Sequence, residues 1–294
     1  MSLKSYPSLD QAVEHLFRSE VRSAISIPGG DINRAFRMEL EGKAVFVKTN
    51  RRENLSFFEA EAEGLAAIAD TNTIRVPEVF AAGTDSRYGS FLMMEWSEGR
   101  KERDFFQNFG RNLASMHRAD TSNLVCDGRF GFLHDNYIGS SRQTNSPADS
   151  WVDFFRDSRL SPQFRMADFW FDRQDRKAAF GLMEHLGNYL PEPEFPSLLH
   201  GDLWSGNSLA GRDGSAWLID PAAYVGCFEA DIAMTELFGG FPRDFYAAYG
   251  EVNPLPPEYE ERRDLYNLYH LLNHLNLFGG SYLGSVRSIL RKYS

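Results

Sequence analysis

Between Leu198 and Asp220 the chain reads L-L-H-G-D-L-W-S-G-N-S-L-A-G-R-D-G-S-A-W-L-I-D, and no other stretch restricts its fold as much. Leu198 and Leu199 end a short apolar strand that delivers His200, Gly201 and Asp202 into a loop. Asn207 follows five positions after Asp202. A turn at Gly211, Asp213 and Gly214 leads into the apolar run Ala216 to Ile219, which ends in Asp220 and is stopped by Pro221. A polar loop, a hairpin and a further carboxylate must therefore follow one another in space.

That order suits phosphoryl transfer. Asp202 is the candidate base for an attacking hydroxyl, while the amide oxygen of Asn207 and the carboxylate of Asp220 are candidates to hold Mg²⁺ against the phosphates of ATP. Kinase-like phosphotransferases use this D-x-x-x-x-N spacing, then a hairpin and a metal-binding Asp. The plainer reading, an Asp-rich turn with a helix-capping Asn, leaves the fixed polar groups of a glycine-rich loop without a task.

Upstream segments supply the rest of such a site. Strand patterns cover Ala24–Ile27, Ala35–Leu40 and Ala44–Lys48, the first two joined by P-G-G-D-I-N at 28–33. Gly29 and Gly30 let backbone N–H groups approach a phosphate, although paired glycines between strands also simply make a turn. Alternation along Val45 to Lys48 points Lys48 into a cleft below that turn. Phe57–Ala69 reads as a helix with Phe58, Leu65 and Ile68 on its apolar side. Of Glu59, Glu61 and Glu63, helical phase selects Glu61 to face the sheet and pair with Lys48, leaving the other two solvated. Phe91–Trp96 is a buried strand whose end, Glu95–Trp96, is the expected hinge offering backbone to an adenine edge; an ordinary core strand has the same sequence.

Composition turns helical after Gly99, so the expected lobes are 1–97 and 98–294. Ser8 and Asp10 are caps for a first helix with Leu9, Val13, Leu16 and Phe17 on its apolar face. Phe105–Arg118 is amphipathic, with His117 read as packed or capping. Gly131–Asn145 reads as an irregular polar loop, Trp151–Arg159 as helix, and Phe164–Leu190 as one or two solvated helices. Asp231, at a helix start, is expected to accept backbone N–H bonds and brace the 200–207 loop, with His200 in a supporting role. Tyr266–Tyr282 reads as a buried helix in which Asn267, Asn273 and His274 bond internally.

The charge balance narrows the partners. With 31 Lys and Arg against 41 Asp and Glu, the net charge of −10 repels nucleic acid and anionic lipid, so neither is an expected partner. The two cysteines, Cys126 and Cys227, have no C-x-x-C spacing and read as free thiols. A polar N-terminus and the lack of any long apolar run make a soluble, cytoplasmic protein the expectation.

Taken together, these segments resemble the fructosamine kinase (ketosamine-3-kinase) family of kinase-like small-molecule phosphotransferases. The resemblance rests on G-G-D-I-N (29–33), F-V-K (46–48), A-E-A-E-G-L (60–65), N-Y-I-G (136–139), Q-T-N (143–145), L-L-H-G-D-L-W-S-G-N (198–207), D-P-A-A-Y-V-G (220–226), E-A-D-I-A-M-T-E-L-F-G-G-F (229–241) and L-Y-H-L-L-N-H-L-N-L-F-G-G (268–280). The H-G-D…N…D core is shared with aminoglycoside and choline kinases, whereas L-W-S-G-N and L-F-G-G-F look particular to this branch. The resemblance implies an α+β, two-lobed, protein-kinase-like fold, with a small antiparallel N-lobe sheet plus a helix and a larger, mainly helical C-lobe. It also implies ATP- and Mg²⁺-dependent phosphorylation of the 3-hydroxyl of a free or protein-bound ketoamine, after which the phosphate product falls apart and frees the amine. Trp204, Asn136 and Gln143 are candidates for the sugar pocket, since an aromatic face and amides suit a polyhydroxylated ligand, though buried packing serves Trp204 equally well. Two departures stand out: Asp31 occupies a place where many relatives carry a cysteine, and 164–193 is short. Other acceptors of the aminoglycoside, choline or homoserine type share the chemistry. H-G-D in place of H-R-D, and Asp220 followed by Pro-Ala, argue against a protein kinase, while the intact set Lys48, Asp202, Asn207 and Asp220 argues against an inactive nucleotide-binding scaffold. Sugar, amine and oligomeric state stay open.

Overall fold

In the computed structural model, which describes residues 4–28 and 33–293, one sheet dominates the chain up to Glu95 and helices dominate after it. The sheet side runs β1 (Lys4–Tyr6), α1 (Leu9–Phe17), β2 (Ser23–Ile27), β3 (Arg34–Glu39), β4 (Ala44–Asn50), α2 (Leu55–Asp70), β5 (Val79–Asp85) and β6 (Gly89–Glu95). Strand order is β1-β5-β6-β4-β3-β2. All neighbours are antiparallel except β1, which lies parallel to β5 at the edge, so the sheet is mixed where an antiparallel one was expected.

Both faces of this sheet are covered, which is why β4 reads as a nearly unbroken apolar run. Val45 and Val47 pack with Leu9, Ala12 and Val13 of α1, whose start is capped by Ser8 Oγ accepting the Gln11 N–H at 3.2 Å. On the other face Phe46, Leu92 and Met94 pack with Phe58 and Leu65 of α2. Strand alternation puts Lys48 on that second face, opposite Leu92 of β6 and towards α2.

The helical side continues with α3 (Phe105–His117), β7 (Asn136–Ile138), β8 (Ser141–Gln143) and α4 (Trp151–Phe154), which passes through one π-helical turn (Phe155–Leu160) into α5 (Ser161–Ala167). Then come α6 (Arg173–Glu184), β9 (Ser197–Leu199), β10 (Ser208–Ala210), β11 (Ala216–Leu218), β12 (Tyr224–Gly226), α7 (Glu229–Leu237), α8 (Arg243–Val252), α9 (Tyr259–Phe278) and α10 (Leu283–Lys292). One large core, including Phe109, Leu113, Trp151, Leu199, Tyr224, Ile232, Tyr266 and Leu272, holds these elements together. Two antiparallel pairs, β9 with β12 and β10 with β11, bring the two ends of the 198–220 stretch side by side.

The polar segment 131–145 is ordered, not irregular. β7 and β8 pair as a hairpin around Gly139 (φ +60°), and the Asp135 carboxylate accepts the Asn145 N–H at 2.8 Å to close its base. Its strands are three residues long and turn polar side chains inward, so alternation gives no signal. The glycine turn at Gly29 and Gly30, with Asp31, lies outside the described residues. Among the described residues no helix is long and apolar enough to cross a membrane.

Candidate active site

The loop after β9 is held by polar contacts that leave its carboxylate in place. His200 is fully buried; its Nε2–H donates to the Ile219 carbonyl at 2.9 Å, and its Nδ1 accepts the Asp202 N–H at 3.3 Å. That pair of partners assigns the neutral tautomer, and burial lowers the pKa of the ring, which favours the same form. Gly201 has φ +80°, and a Cβ there would lie 2.1 Å from the Ala222 carbonyl oxygen, so backbone passes where any side chain would collide. Asp231, at the start of α7, accepts the N–H groups of His200 at 2.7 Å and Gly201 at 2.9 Å. His117 supports it in turn, donating from Nε2 to Asp231 at 3.2 Å while Nδ1 accepts from the Tyr249 hydroxyl at 2.8 Å. Burial alone would raise the Asp231 pKa, but the His117 bond and the loop N–H groups hold it low.

Asp202 sits where this brace ends. The Asn207 amide donates to its carbonyl at 2.8 Å and to its carboxylate at 3.1 Å. Burial, reinforced by the negative charge of Asp220, pushes the Asp202 pKa up to about 7. The Ile219 N–H donates to the Asn207 carbonyl at 3.1 Å, which brings Asp220, one residue on, against the same loop. Asp220 itself adopts φ +56°, a left-handed conformation that turns the chain away after β11. Trp204 is 39% exposed and folds its ring over Gly206, so it is a surface at the loop's mouth and not a buried packing group.

Lys48 reaches this loop from the sheet. Its Nζ donates to Glu61 at 2.8 Å and also to Asp220, joining residues 172 positions apart. Burial disfavours the ammonium charge, yet the Asp220 and Glu61 carboxylates outweigh it and raise the pKa. Burial raises the Glu61 pKa against the opposing pull of Lys48, whereas the Asp220 carboxyl, 43% exposed, is held low by Lys48 although burial pushes the other way. Of the other two glutamates, Glu59 is exposed and Glu63 pairs with His134 at 2.8 Å instead of standing free in solvent.

At the end of β6 the Glu95 carboxylate turns to the Glu78 N–H at 3.4 Å, and the Trp96 carbonyl accepts from Arg212 at 2.6 Å. Neither side chain enters the Lys48 cluster. Asn136 and Gln143 require a correction: both are 2% exposed, and their amides serve the protein itself. Asn136 donates to the Ala223 carbonyl at 2.7 Å, while Gln143 donates to the Ala222 carbonyl at 3.0 Å and to Asn136 at 2.7 Å and accepts from the Tyr269 hydroxyl at 2.6 Å. They brace the backbone after Asp220 and line no open sugar pocket. Sequence reasoning missed Tyr269, which bonds the Gln143 amide, Arg212, which bonds the Trp96 carbonyl, and Tyr137, which meets Ser56 and Phe57, since an isolated Tyr or Arg carries no signal of the tertiary partner it will meet.

Among the described residues no group of three or more His, Cys, Asp and Glu is placed to hold a metal. Asn207 and Asp220 still fit Mg²⁺: the two bonds from the Asn207 amide nitrogen leave Oδ1 to face a cation, and Mg²⁺ takes few protein oxygens when phosphates and water complete its shell. Two cavities of about 830 and 910 Å³ lie elsewhere and are lined by none of these residues.

Comparison with known proteins gives a consistent set. The fructosamine kinase family model matches residues 7–294. A probable ketoamine kinase of Synechocystis is 40% identical over 287 residues, spanning 97% of this chain and 94% of the relative. A chloroplastic protein-ribulosamine 3-kinase of Oryza sativa is 41% identical over 277 residues, spanning 94% of this chain and 80% of the relative. A crystal structure from Thermobifida fusca, provisionally named a fructosamine-3-kinase, superposes with a TM-score of 0.85 at 32% identity, covering 98% and 99% of the two chains. An aminoglycoside phosphotransferase holding AMP-PNP and hygromycin B gives 0.70 at 17% identity, covering 97% and 98%, a likeness of fold alone.

Proposed function

The chain belongs to the fructosamine kinase family, and from that membership we propose that it transfers a phosphoryl group from ATP to the 3-hydroxyl of a ketoamine, a sugar joined to an amine by glycation. The phosphorylated sugar then parts from the amine, so the activity is deglycation. The observation that carries this reading is the Lys48 ammonium between Glu61 and Asp220, beside an Asp202 pinned by Asn207.

Asp202 orients the attacking hydroxyl and takes its proton. Lys48 grips the ATP phosphates, and Glu61 holds Lys48 on them. Asn207 Oδ1 and Asp220 would hold Mg²⁺, which would neutralise charge on the phosphoryl group. From the sequence, Gly29 and Gly30 are the candidates to cover the phosphates; the backbone at Glu95 and Trp96 meets the base, and the open face of Trp204 meets the sugar. Residues 1–97 form the nucleotide lobe and 98–294 the catalytic and acceptor lobe. Positioning and charge neutralisation dominate phosphoryl transfer, which is why a scattered polar set suffices. A free exposed Cys126 and a free buried Cys227 fit a reducing, cytoplasmic setting.

Incubation with ATP, Mg²⁺ and a panel of free and protein-bound ketoamines, followed by phosphorus NMR, tests the proposal. A sugar 3-phosphate signal that decays as free amine appears is the expected result. ADP formed only with an aminoglycoside, choline or homoserine overturns the acceptor, and none formed with any acceptor overturns the enzyme.

A further inference from the structure

Both carboxylates that hold Lys48 are delivered by elements that meet on one small hairpin, β7–β8. On one side the Tyr137 ring lies against Phe57, with centroids 3.8 Å apart, and its hydroxyl stands 3.0 Å from Ser56 Oγ. His134, just before the hairpin, bonds Glu63 at 2.8 Å. Ser56, Phe57 and Glu63 all belong to α2, the helix that carries Glu61. On the other side Asn136 and Gln143 hold the carbonyls of Ala223 and Ala222, directly after Asp220 and Pro221. The helix and that loop also touch each other: a Cβ on Gly64 would stand 3.1 Å from Pro221 Cγ and 3.2 Å from Ala223 Cβ. The hairpin is anchored from below by buried Arg159, which donates to the Thr144 carbonyl at 2.6 Å and to Asn145 Oδ1 at 2.7 Å.

We infer that β7–β8 is a strut fixing the Glu61 helix against the Asp220 loop, and that Tyr137 is a positioning residue for the Lys48 ion pairs. Through Phe58 and Leu65 the helix is tied to the sheet; without Tyr137 the distance from Glu61 to the Asp220 loop is set only by the Gly64 contact with Pro221 and Ala223 and the His134–Glu63 bond, and is held less tightly. In kinase-like enzymes a Lys–Glu pair must be engaged for the phosphates to be held, so a contact that sets this distance acts on nucleotide binding before it acts on the acceptor. Tyr137 touches neither Lys48 nor either carboxylate in this arrangement, and its effect passes through α2. The proposal rests on the nucleotide role given to Lys48 and Glu61 above.

The full chain is compared with Glu61→Gln, Tyr137→Ala, Tyr137→Phe and the Tyr137→Ala/Glu61→Gln double variant. Calorimetry with Mg·ADP gives nucleotide affinity, and ADP release with fructosyl-lysine gives both KM values. Tyr137→Ala is expected to weaken Mg·ADP and raise KM for ATP by about three- to thirtyfold, leaving the ketoamine KM within about twofold. Tyr137→Phe keeps the ring contact and recovers most of the loss. In the Glu61→Gln background Tyr137→Ala adds little, because the pair it positions is already broken. Phe57→Ala removes the same contact from the helix side and must give the same pattern if Tyr137→Ala fails to fold. An unchanged affinity in Tyr137→Ala, or its full effect in the Glu61→Gln background, overturns the strut while the nucleotide grip stands. An unchanged affinity in Glu61→Gln overturns the grip itself, and the strut with it.

Discussion

The Asp231 carboxylate accepts the backbone N–H of His200 at 2.7 Å, so a residue at the start of a buried helix fixes a loop 31 positions earlier. Its other oxygen takes the Gly201 N–H, and His117 fills what remains. Asp231→Asn replaces one acceptor oxygen by an NH₂ that faces donors. A buried donor left facing a donor costs about 2–3 kcal/mol, and the thermal midpoint should fall by about 3–5 °C, with kcat falling as the Asp202 loop loosens. Calorimetric melting beside steady-state kinetics checks this. Equal midpoints in the two proteins would show that the loop is held by other means.

Asp202→Asn separates chemistry from folding. The amide keeps the size of the carboxylate but cannot take a proton, so kcat should fall by about 10²–10⁴. The melting temperature should not fall, because the neutral amide relieves the repulsion between the Asp202 and Asp220 carboxylates. Retention of more than about a tenth of the wild-type turnover would sink the assignment of Asp202 as base.

The legible part of the site consists of residues whose geometry follows from local rules. Asp202 and Asn207 lie in one loop, and alternation along β4 points Lys48 to the α2 face of the sheet. Helical phase then picks Glu61 from three neighbouring glutamates. Asp231 is legible because a helix start offers a carboxylate few other tasks. What stays hidden depends on tertiary partners. An inward amide on a three-residue strand looks the same whether it will meet a sugar or the carbonyls of residues 222 and 223, so Asn136 and Gln143 read as ligand groups. The edge strand β1 and helix α10 escape for a related reason: three residues carry no periodicity, and the C-terminal pattern merges with that of α9.

With Mg²⁺ held by Asn207 Oδ1 and Asp220 as proposed, the sparse protein donor set predicts metal dependence of a particular kind. Asn207 Oδ1 and Asp220 are too few oxygens to hold Mg²⁺ firmly without phosphates. Chelation should therefore abolish phosphoryl transfer without changing the melting temperature of the nucleotide-free protein. Calorimetric titration of Mg²⁺ into the nucleotide-free chain should show only weak binding, about millimolar or weaker, and much tighter binding once ADP is present. Saturable micromolar binding without nucleotide would point to a complete protein cage and contradict this reading.

Acid sensitivity should trace in part to His270 on α9. The ring is 3% exposed, its Nδ1 has no hydrogen-bond partner, and burial, with some help from His274, lowers its pKa from 6.5 to about 3. The unfolded chain takes up a proton on this ring below pH 6.5, whereas the folded chain stays neutral until about pH 3. Stability present above pH 6.5 is thus lost as pH falls, by about 2 kcal/mol at pH 5 from this ring alone. His200, whose pKa burial also lowers, acts in the same direction and remains in any His270 variant. His270→Leu keeps a similar volume and removes the unpartnered nitrogen, so it should fold at pH 7.5 at least as stably as the wild type. Its denaturant midpoint should then fall less steeply between pH 6.5 and 5, by a slope equivalent to about one proton. An unchanged slope would mean that His270 already finds a proton-accepting partner in the folded state and that the acid response arises elsewhere.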